Sequence, residues 1–184
     1  MIIFALKFQI STMNRLRQAF VWLRRIGHCR GFGIQSPTDY RFVRYVINEH
    51  WPYYAYEELG PDDRWLRRKL GLLYFRLANE LQPCTVIDKT GFHDYLQAGC
   101  RKAQIVDNAD AVDMAIVPVK TDYRLLFAKC SDKSVVVIQD IWRAPEYWHS
   151  IESDPRETVT FDLYYCGIVI IDPKRAKQNY IVNF

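Results

Sequence analysis

The chain has 184 residues, of which 49% are hydrophobic and 15% aromatic, so it can bury a large core in a single domain. Its formal net charge of +4 is modest, and no apolar run approaches the ~20 residues that a membrane-spanning helix needs. The 5 cysteines are scattered, without a Cys-x-x-Cys pair. This pattern argues against a disulfide framework and indicates free thiols in a reducing, cytoplasmic compartment.

Residues 1–60 are predicted to form an N-terminal helical extension. The opening segment, MIIFALKFQIST, does not fit a signal peptide, because Lys7 interrupts the apolar run and no small-residue cleavage site follows. Met13 begins a more ordinary start. We therefore expect residues 1–12 to result from the choice of start codon, with either Met1 or Met13 as the true start.

Residues 14–26 are predicted to form a basic amphipathic helix. Its apolar side chains recur at helical spacing: Leu16, Ala19, Phe20, Leu23 and Ile26. Arginines occupy much of the remaining surface. We expect the apolar stripe to pack on the domain and to leave the arginines in water. The alternative is a helix that binds a membrane surface or a partner.

Two further helices precede the predicted sheet. Ser36 is a favourable N-cap and Pro37 a favourable first residue, and the helix they start is predicted to bury the apolar side chains between Phe42 and Ile47. A second helix is predicted over about Pro61–Leu81, where leucines recur at helical spacing. Gly71 should weaken its centre by up to about 1 kcal/mol relative to alanine.

Residues 61–184 are predicted to form an α/β domain. Apolar continuity and intervening helices predict parallel strands over residues 85–88, 104–107, 114–117 and 134–139. A helix should follow from about Pro145 to Ser153. Residues 158–165 and 167–172 then predict an antiparallel hairpin, since apolar and polar residues alternate before Gly167.

Motifs in the C-terminal half resemble those of class I S-adenosylmethionine (SAM)-dependent methyltransferases. The motifs are Asp140, then Trp142-Arg143-Ala144-Pro145-Glu146, then Asp162-Leu163-Tyr164-Tyr165-Cys166-Gly167-Ile168-Val169. They are most similar to a bacterial methyltransferase-like group, whose Gly-x-x-Ser-Pro and Tyr-Tyr-x-x-Glu-Glu segments correspond to Gly33–Pro37 and Tyr53–Glu58. The resemblance extends over most of residues 28–184. It implies a shortened, Rossmann-like methyltransferase sheet.

The resemblance also implies which residues would bind SAM. In this class the first strand ends in an acidic residue and a glycine-rich turn, which correspond here to Asp88 and Gly91. Asp107 lies 19 residues after Asp88, close to the offset of about 20 at which a strand-end acid binds ribose hydroxyls. Asp140 ends the fourth predicted strand. These four residues are the candidate cofactor-binding set.

Three departures from the class predict that the site is degenerate. The turn keeps one glycine, Gly91, where several are expected. Only residues 108–111 separate the second strand from the next, where a full methyltransferase places elements that wall the adenine pocket. Pro118 lies where many members of the class have an acidic residue at the end of a strand, and some members bind a divalent cation there. In this chain only Asp140 is well placed to bind such a cation, and one carboxylate supplies too few oxygen ligands for a hard cation. We therefore expect no metal and no cofactor, with SAM only if the activity of the class is retained.

The sequence thus predicts a methyltransferase-like protein that has lost SAM-dependent catalysis and acts as a binding or scaffold module for a protein partner or a second copy. One alternative is an active minimal methyltransferase that uses Asp88, Gly91, Asp107 and Asp140. Another is a peripheral membrane protein that contacts the surface weakly through residues 14–26. Nucleic-acid binding is not expected, because only Phe20 and Trp22 interleave with the basic helix. The sequence singles out no catalytic residue.

Overall fold

The computed structural model describes residue 16, residues 18–155 and residues 158–184, without the side chain of Thr158. Its strands form one seven-stranded sheet in the order β2-β1-β3-β4-β6-β5-β7. The strands are β1 (Thr85–Asp88), β2 (Gln104–Val106), β3 (Val112–Pro118), β4 (Cys130–Gln139), β5 (Thr158–Asp162), β6 (Cys166–Ile171) and β7 (Gln178–Ile181). β1 to β4 are parallel, and β6 pairs antiparallel with both β4 and β5. The predicted fold class is therefore confirmed.

Helices flank the sheet. They are α1 (Pro37–Phe42), which continues into a π-helical turn (Val43–Ile47), α2 (Trp65–Leu81), α3 (His93–Gly99), α4 (Tyr123–Phe127) and α5 (Pro145–Glu152). The predicted cap of α1 is confirmed, since the Ser36 hydroxyl accepts a hydrogen bond from the Asp39 amide at 3.3 Å. The prediction for α2 began too early, because residues 60–63 form a turn closed by a bond from the Asp63 amide to the Gly60 carbonyl.

A core lies on each face of the sheet. Val135 and Val137 of β4 point into the core that also contains α2 and α3, whereas Val136 and Ile138 point into the core beneath α4 and α5. All four side chains are at most 1% exposed. A strand that is buried on both faces must be apolar at every position, which explains the uninterrupted run in the sequence.

A buried arginine joins the N-terminal segment to α2. The guanidinium of Arg76 donates from Nε to the Val46 carbonyl at 2.6 Å and from Nη2 to the Ile47 carbonyl at 3.0 Å. These carbonyls end the π-helical turn, where a positive charge is favourable. Val43 and Ile47 are fully buried in the same core as α2. The division of the chain at residue 60 stays a prediction.

The expected orientation of the N-terminal helix is wrong. Residues 18–24 are helical, but Leu16, Phe20, Leu23 and Ile26 are 54–67% exposed instead of packed on the domain. The helix turns its other face inward, because Arg25 hydrogen-bonds to Asp162 at 2.9 Å and the Asn183 amide to the Trp22 carbonyl at 3.2 Å. The predicted leader, residues 1–12, lies outside the described residues.

No helix within the described part of the chain is long and apolar enough to cross a membrane. The strand β7 was not predicted. It extends the sheet by pairing parallel with β5.

Gly71 has a packing role that its helix propensity does not reveal. A Cβ atom at this position would lie 2.5 Å from the ring of Tyr95, which packs across α2 from α3. Only glycine permits this close approach of helix and ring. The cost of glycine in α2 is thus offset by tighter packing between the two helices.

We predict that Gly71→Ala lowers the free energy of unfolding by about 1 to 2 kcal/mol, since overpacking outweighs the gain in helix propensity. Urea denaturation would measure the change. Gly27→Ala is the matched control, because its added Cβ would meet no atom within 4 Å. A Gly71→Ala protein more stable than the wild type would show that the Tyr95 ring leaves room for a Cβ atom at residue 71.

Candidate functional site

The candidate cofactor residues lie at the carboxyl edge of the parallel strands. In open α/β sheets this edge is where ligands bind. The structure brings Asp88, Gly91 and Asp107 together at the ends of the neighbouring strands β1 and β2. Asp140 follows β4, which is separated from β1 by β3, so it lies two strand spacings away, on the order of 10 Å.

The Asp88 carboxylate is bound by its own turn. Its Oδ1 accepts hydrogen bonds from the Thr90 amide at 2.8 Å, the Thr90 hydroxyl at 2.8 Å and the Gly91 amide at 3.1 Å. Its Oδ2 accepts from the Phe92 amide at 2.6 Å. A carboxylate offers about four acceptor positions, so this turn uses the acceptor capacity of Asp88 internally.

Gly91 adopts a φ of +76°, a conformation that favours glycine. No atom lies within 4 Å of the position of a Cβ there. Its carbonyl accepts a hydrogen bond from Arg67 at 2.5 Å, and the Arg67 guanidinium also lies 4.5 Å from the centre of the Phe92 ring. Arg67, a residue that the sequence did not single out, thus places a positive charge over the turn.

Asp107 is on the surface. Its side chain is 96% exposed, and its carboxylate lies 3.7 Å from the ammonium of Lys89. A pair this exposed is screened by water and adds little stability. The structure therefore places the candidate ribose ligand beside a lysine and in solvent.

Asp140 belongs to a different part of the edge. It adopts a left-handed conformation with φ +59°, and its carboxylate lies 3.6 Å from the Arg143 guanidinium. From Asp140, a row of cationic and aromatic side chains in contact with one another extends toward β5. The Arg143 guanidinium lies 4.9 Å from the Trp142 ring, which stacks on Tyr164 at 6.2 Å. Arg25 covers Tyr164 at 5.4 Å.

A polar pair of one half-buried and one buried side chain precedes Asp140 at the end of β4. The Gln139 amide donates a hydrogen bond to the Tyr74 hydroxyl at 2.9 Å, and Tyr74 is fully buried. Burial raises the pKa of the Tyr74 hydroxyl well above its ordinary value. Burial likewise raises the pKa of the neighbouring Cys166 thiol, so this thiol stays protonated and is a poor nucleophile.

Lys69 is a second group that the sequence did not single out. Its ammonium lies 5.0 Å from the centre of the Trp65 ring and 4.4 Å from that of Phe184. Burial lowers the pKa of Lys69 to about 8. The spacing of Trp65 and Lys69, four residues apart on a predicted helix, was the one signal in the sequence for this contact.

Concave regions of the described structure lie outside the candidate cofactor residues. A groove of about 340 Å³ separates the N-terminal helix from Trp65, Tyr165 and Phe184. A cavity of about 640 Å³ lies at the opposite, amino edge of β1 and β3, with Arg41, Glu80 and Arg175 in its walls. Arg41 and Glu80 form an ion pair there at 3.3 Å.

The strand order describes a Rossmann-like α/β fold with an antiparallel C-terminal hairpin. No protein-family model and no curated protein matches the chain. Among solved structures, it is similar to a methyltransferase from Geobacter sulfurreducens determined at 1.90 Å resolution, with 12% sequence identity and a TM-score of 0.48. The match covers 64% of this chain and 86% of that protein.

We predict that Asp88→Ala lowers the free energy of unfolding by about 2 to 3 kcal/mol, because three backbone amides lose a charged acceptor. Urea denaturation would measure the change. Asp107→Ala should leave the stability unchanged and serves as the control, since its side chain is exposed. An Asp88→Ala protein as stable as the wild type would show that water replaces the carboxylate without loss.

We predict a pH-dependent effect for Lys69→Met. The folded pKa of about 8 lies below the ordinary value of 10.5, so the unfolded chain binds more protons between these values and stability rises with pH across this window. At neutral pH the substitution should stabilise the protein by about 1 to 2 kcal/mol, less than the full shift because the rings attract the cation.

The advantage of methionine should shrink as the pH rises through the same window, as measured by urea denaturation at several pH values. Lys102→Met, on the exposed turn before β2, is the matched control and should show no such trend. A stability difference for Lys69→Met that stays constant with pH would contradict the lowered pKa.

Proposed function

We propose that this chain is a methyltransferase-like protein that has lost SAM-dependent catalysis and works as a binding or scaffold module. The observation that carries the proposal is the closed turn after β1, in which the Asp88 carboxylate accepts hydrogen bonds from three amides and one hydroxyl of residues 90–92. A ligand at this turn would compete with an internal anion for every one of these donors.

The charged groups around the turn already have partners within the chain. SAM carries a positive sulfonium, and it would supply an electrophilic methyl group when bound. Arg67 pairs with Asp63 at 3.0 Å and Lys89 with Asp107 at 3.7 Å, while the Asp88 carboxylate accepts the hydrogen bonds of the turn. The acidic side chains at this turn are therefore bound by the chain itself.

The edge of the sheet lacks the enclosure that the class implies. β2 is the outermost strand on this side, and residues 107–111 lead directly from it into β3. By resemblance, the missing helix, strand and helix would wall the adenine pocket. Between β4 and β5 the same edge is covered by the stacked rings of Trp142 and Tyr164. The residues present therefore do not fit the cofactor.

The proposed module binds a protein partner or a second copy of the chain. Support comes from large aromatic side chains that remain in solvent, namely Phe32, Trp51 and Tyr54. Exposed aromatic residues are enriched where proteins bind one another. Nucleic acid is not part of the proposal.

We predict that calorimetric titration with SAM or S-adenosylhomocysteine at sub-millimolar concentration gives no saturable heat. Thermal unfolding is an independent measurement, because a ligand at 100 times its dissociation constant would add about 2.7 kcal/mol of stability. Neither ligand should raise the melting temperature. An authentic SAM-dependent enzyme in the same buffer provides the positive control.

The active minimal methyltransferase is the outcome that would overturn this proposal. It requires saturable SAM binding that Asp107→Ala abolishes. Asp132→Ala is the matched control, since Asp132 is an exposed acid at the opposite edge of the sheet, and it should leave any such binding intact.

A further inference from the structure

The outer face of the N-terminal helix is apolar and unpartnered within the described residues. Leu16, Phe20, Leu23 and Ile26, the outer stripe, are 54–67% exposed. Leu16, Phe20 and Leu23 are helical and share one face, and Ile26 begins the 3-10 turn that follows the helix. On the opposite face, Val21 and Trp22 border the groove against Trp65 and Phe184. The stripe is therefore not a core surface of this domain.

Polar contacts set the rotation of this helix. Arg25 donates from Nη2 to the Asp162 carboxylate and from Nη1 to the Asp162 carbonyl, both at 2.9 Å. The two charged side chains are only 16% and 15% exposed. The Asn183 side-chain amide donates to the Trp22 carbonyl at 3.2 Å. Because these bonds hold the inner face, the outer stripe is directed away from the domain.

The sequence around the stripe is uniformly basic. The first acidic residue of the chain is Asp39, and the basic residues that precede it are Lys7, Arg15, Arg17, Arg24, Arg25 and Arg30. Arg24 and Arg30 are exposed, and the Arg24 guanidinium lies 5.7 Å from the centre of the Phe20 ring. Exposed positive charge thus accompanies exposed apolar surface on the same short segment.

We propose that the outer stripe lies on the surface of an anionic lipid bilayer. An amphipathic helix binds there by burying its apolar side chains at the boundary of headgroups and acyl chains, while neighbouring arginines attract acidic lipids. A symmetric contact with a second copy would bring two basic segments against each other, which is unfavourable.

Vesicle flotation with the full chain tests this proposal. The protein should float with vesicles of phosphatidylcholine and phosphatidylserine, and binding should fall by about tenfold or more on vesicles of phosphatidylcholine alone. High salt should release it, since screening weakens the arginine contacts. The double variant Phe20→Ser, Leu23→Ser and the single variant Arg24→Glu should each weaken binding to anionic vesicles by about tenfold or more.

Two substitutions elsewhere on the surface are the matched controls. Leu125 is 67% exposed on α4, and Arg101 is exposed on the turn before β2. Leu125→Ser and Arg101→Glu should float like the wild type. Circular dichroism and the melting temperature would verify that every variant is folded.

Three results would overturn the proposal. The first is no flotation of the wild type with anionic vesicles. The second is flotation that Leu125→Ser and Arg101→Glu weaken as much as the stripe variants do. The third is self-association in light scattering that Phe20→Ser and Leu23→Ser abolish while vesicle binding stays unchanged, because the stripe would then be an interface between copies of the chain.

Discussion

Burial of the central strand on both faces is the constraint on which the rest of the structure depends. Val135 to Ile138 of β4 are almost completely inaccessible, with one core on each side. β4 also joins the two halves of the sheet, since it pairs parallel with β3 and antiparallel with β6. A sheet covered on both faces leaves its edges and its outlying helix for contact with other molecules. The edges of the sheet and the N-terminal helix are therefore the surfaces on which we expect binding.

At the carboxyl edge, backbone donors that could bind a ligand are used to stabilise the fold. Turns that hold an external anion leave their amides directed at open space. Here the amides of Thr90, Gly91 and Phe92 converge on Asp88 instead. Such a turn needs no ligand to be stable. Burial of Phe92 beneath Arg67 and against Tyr74 then holds the turn in the closed arrangement.

Local patterns predicted the elements of the fold well. The apolar run of β4, the cap at Ser36 and the hairpin of β5 and β6 each carry a signal within a few neighbouring residues. β7 was missed because Gln178, Asn179 and Tyr180 give no apolar alternation, and its pairing with β5 is set by tertiary contact. The edge position of Asp88 and Asp107 followed from strand order.

Long-range contacts could not be predicted in the same way. Helical periodicity located the stripe of Leu16, Phe20 and Leu23, but not the side of the helix that faces the domain. That side is chosen by Arg25 and Asp162, which are 137 positions apart in the sequence. The hydrogen bonds of Asp88 could not be predicted either. An acidic residue at the end of a strand has the same sequence pattern whether its carboxylate binds a ligand or the amides of its own turn.

The N-terminal helix is anchored at the carboxyl edge of the sheet. Asp162, which anchors the helix, ends β5 at the same edge as Asp88 and Asp140, since β5 runs parallel to β4 through their shared antiparallel partner β6. The same Arg25 that binds Asp162 also covers Tyr164, whose ring stacks on Trp142 beside Asp140. The helix that carries the outer stripe is therefore fixed at the edge where open α/β sheets bind ligands. The closed turn of Asp88 and the exposed helix that carries the outer stripe thus lie at one edge of the sheet.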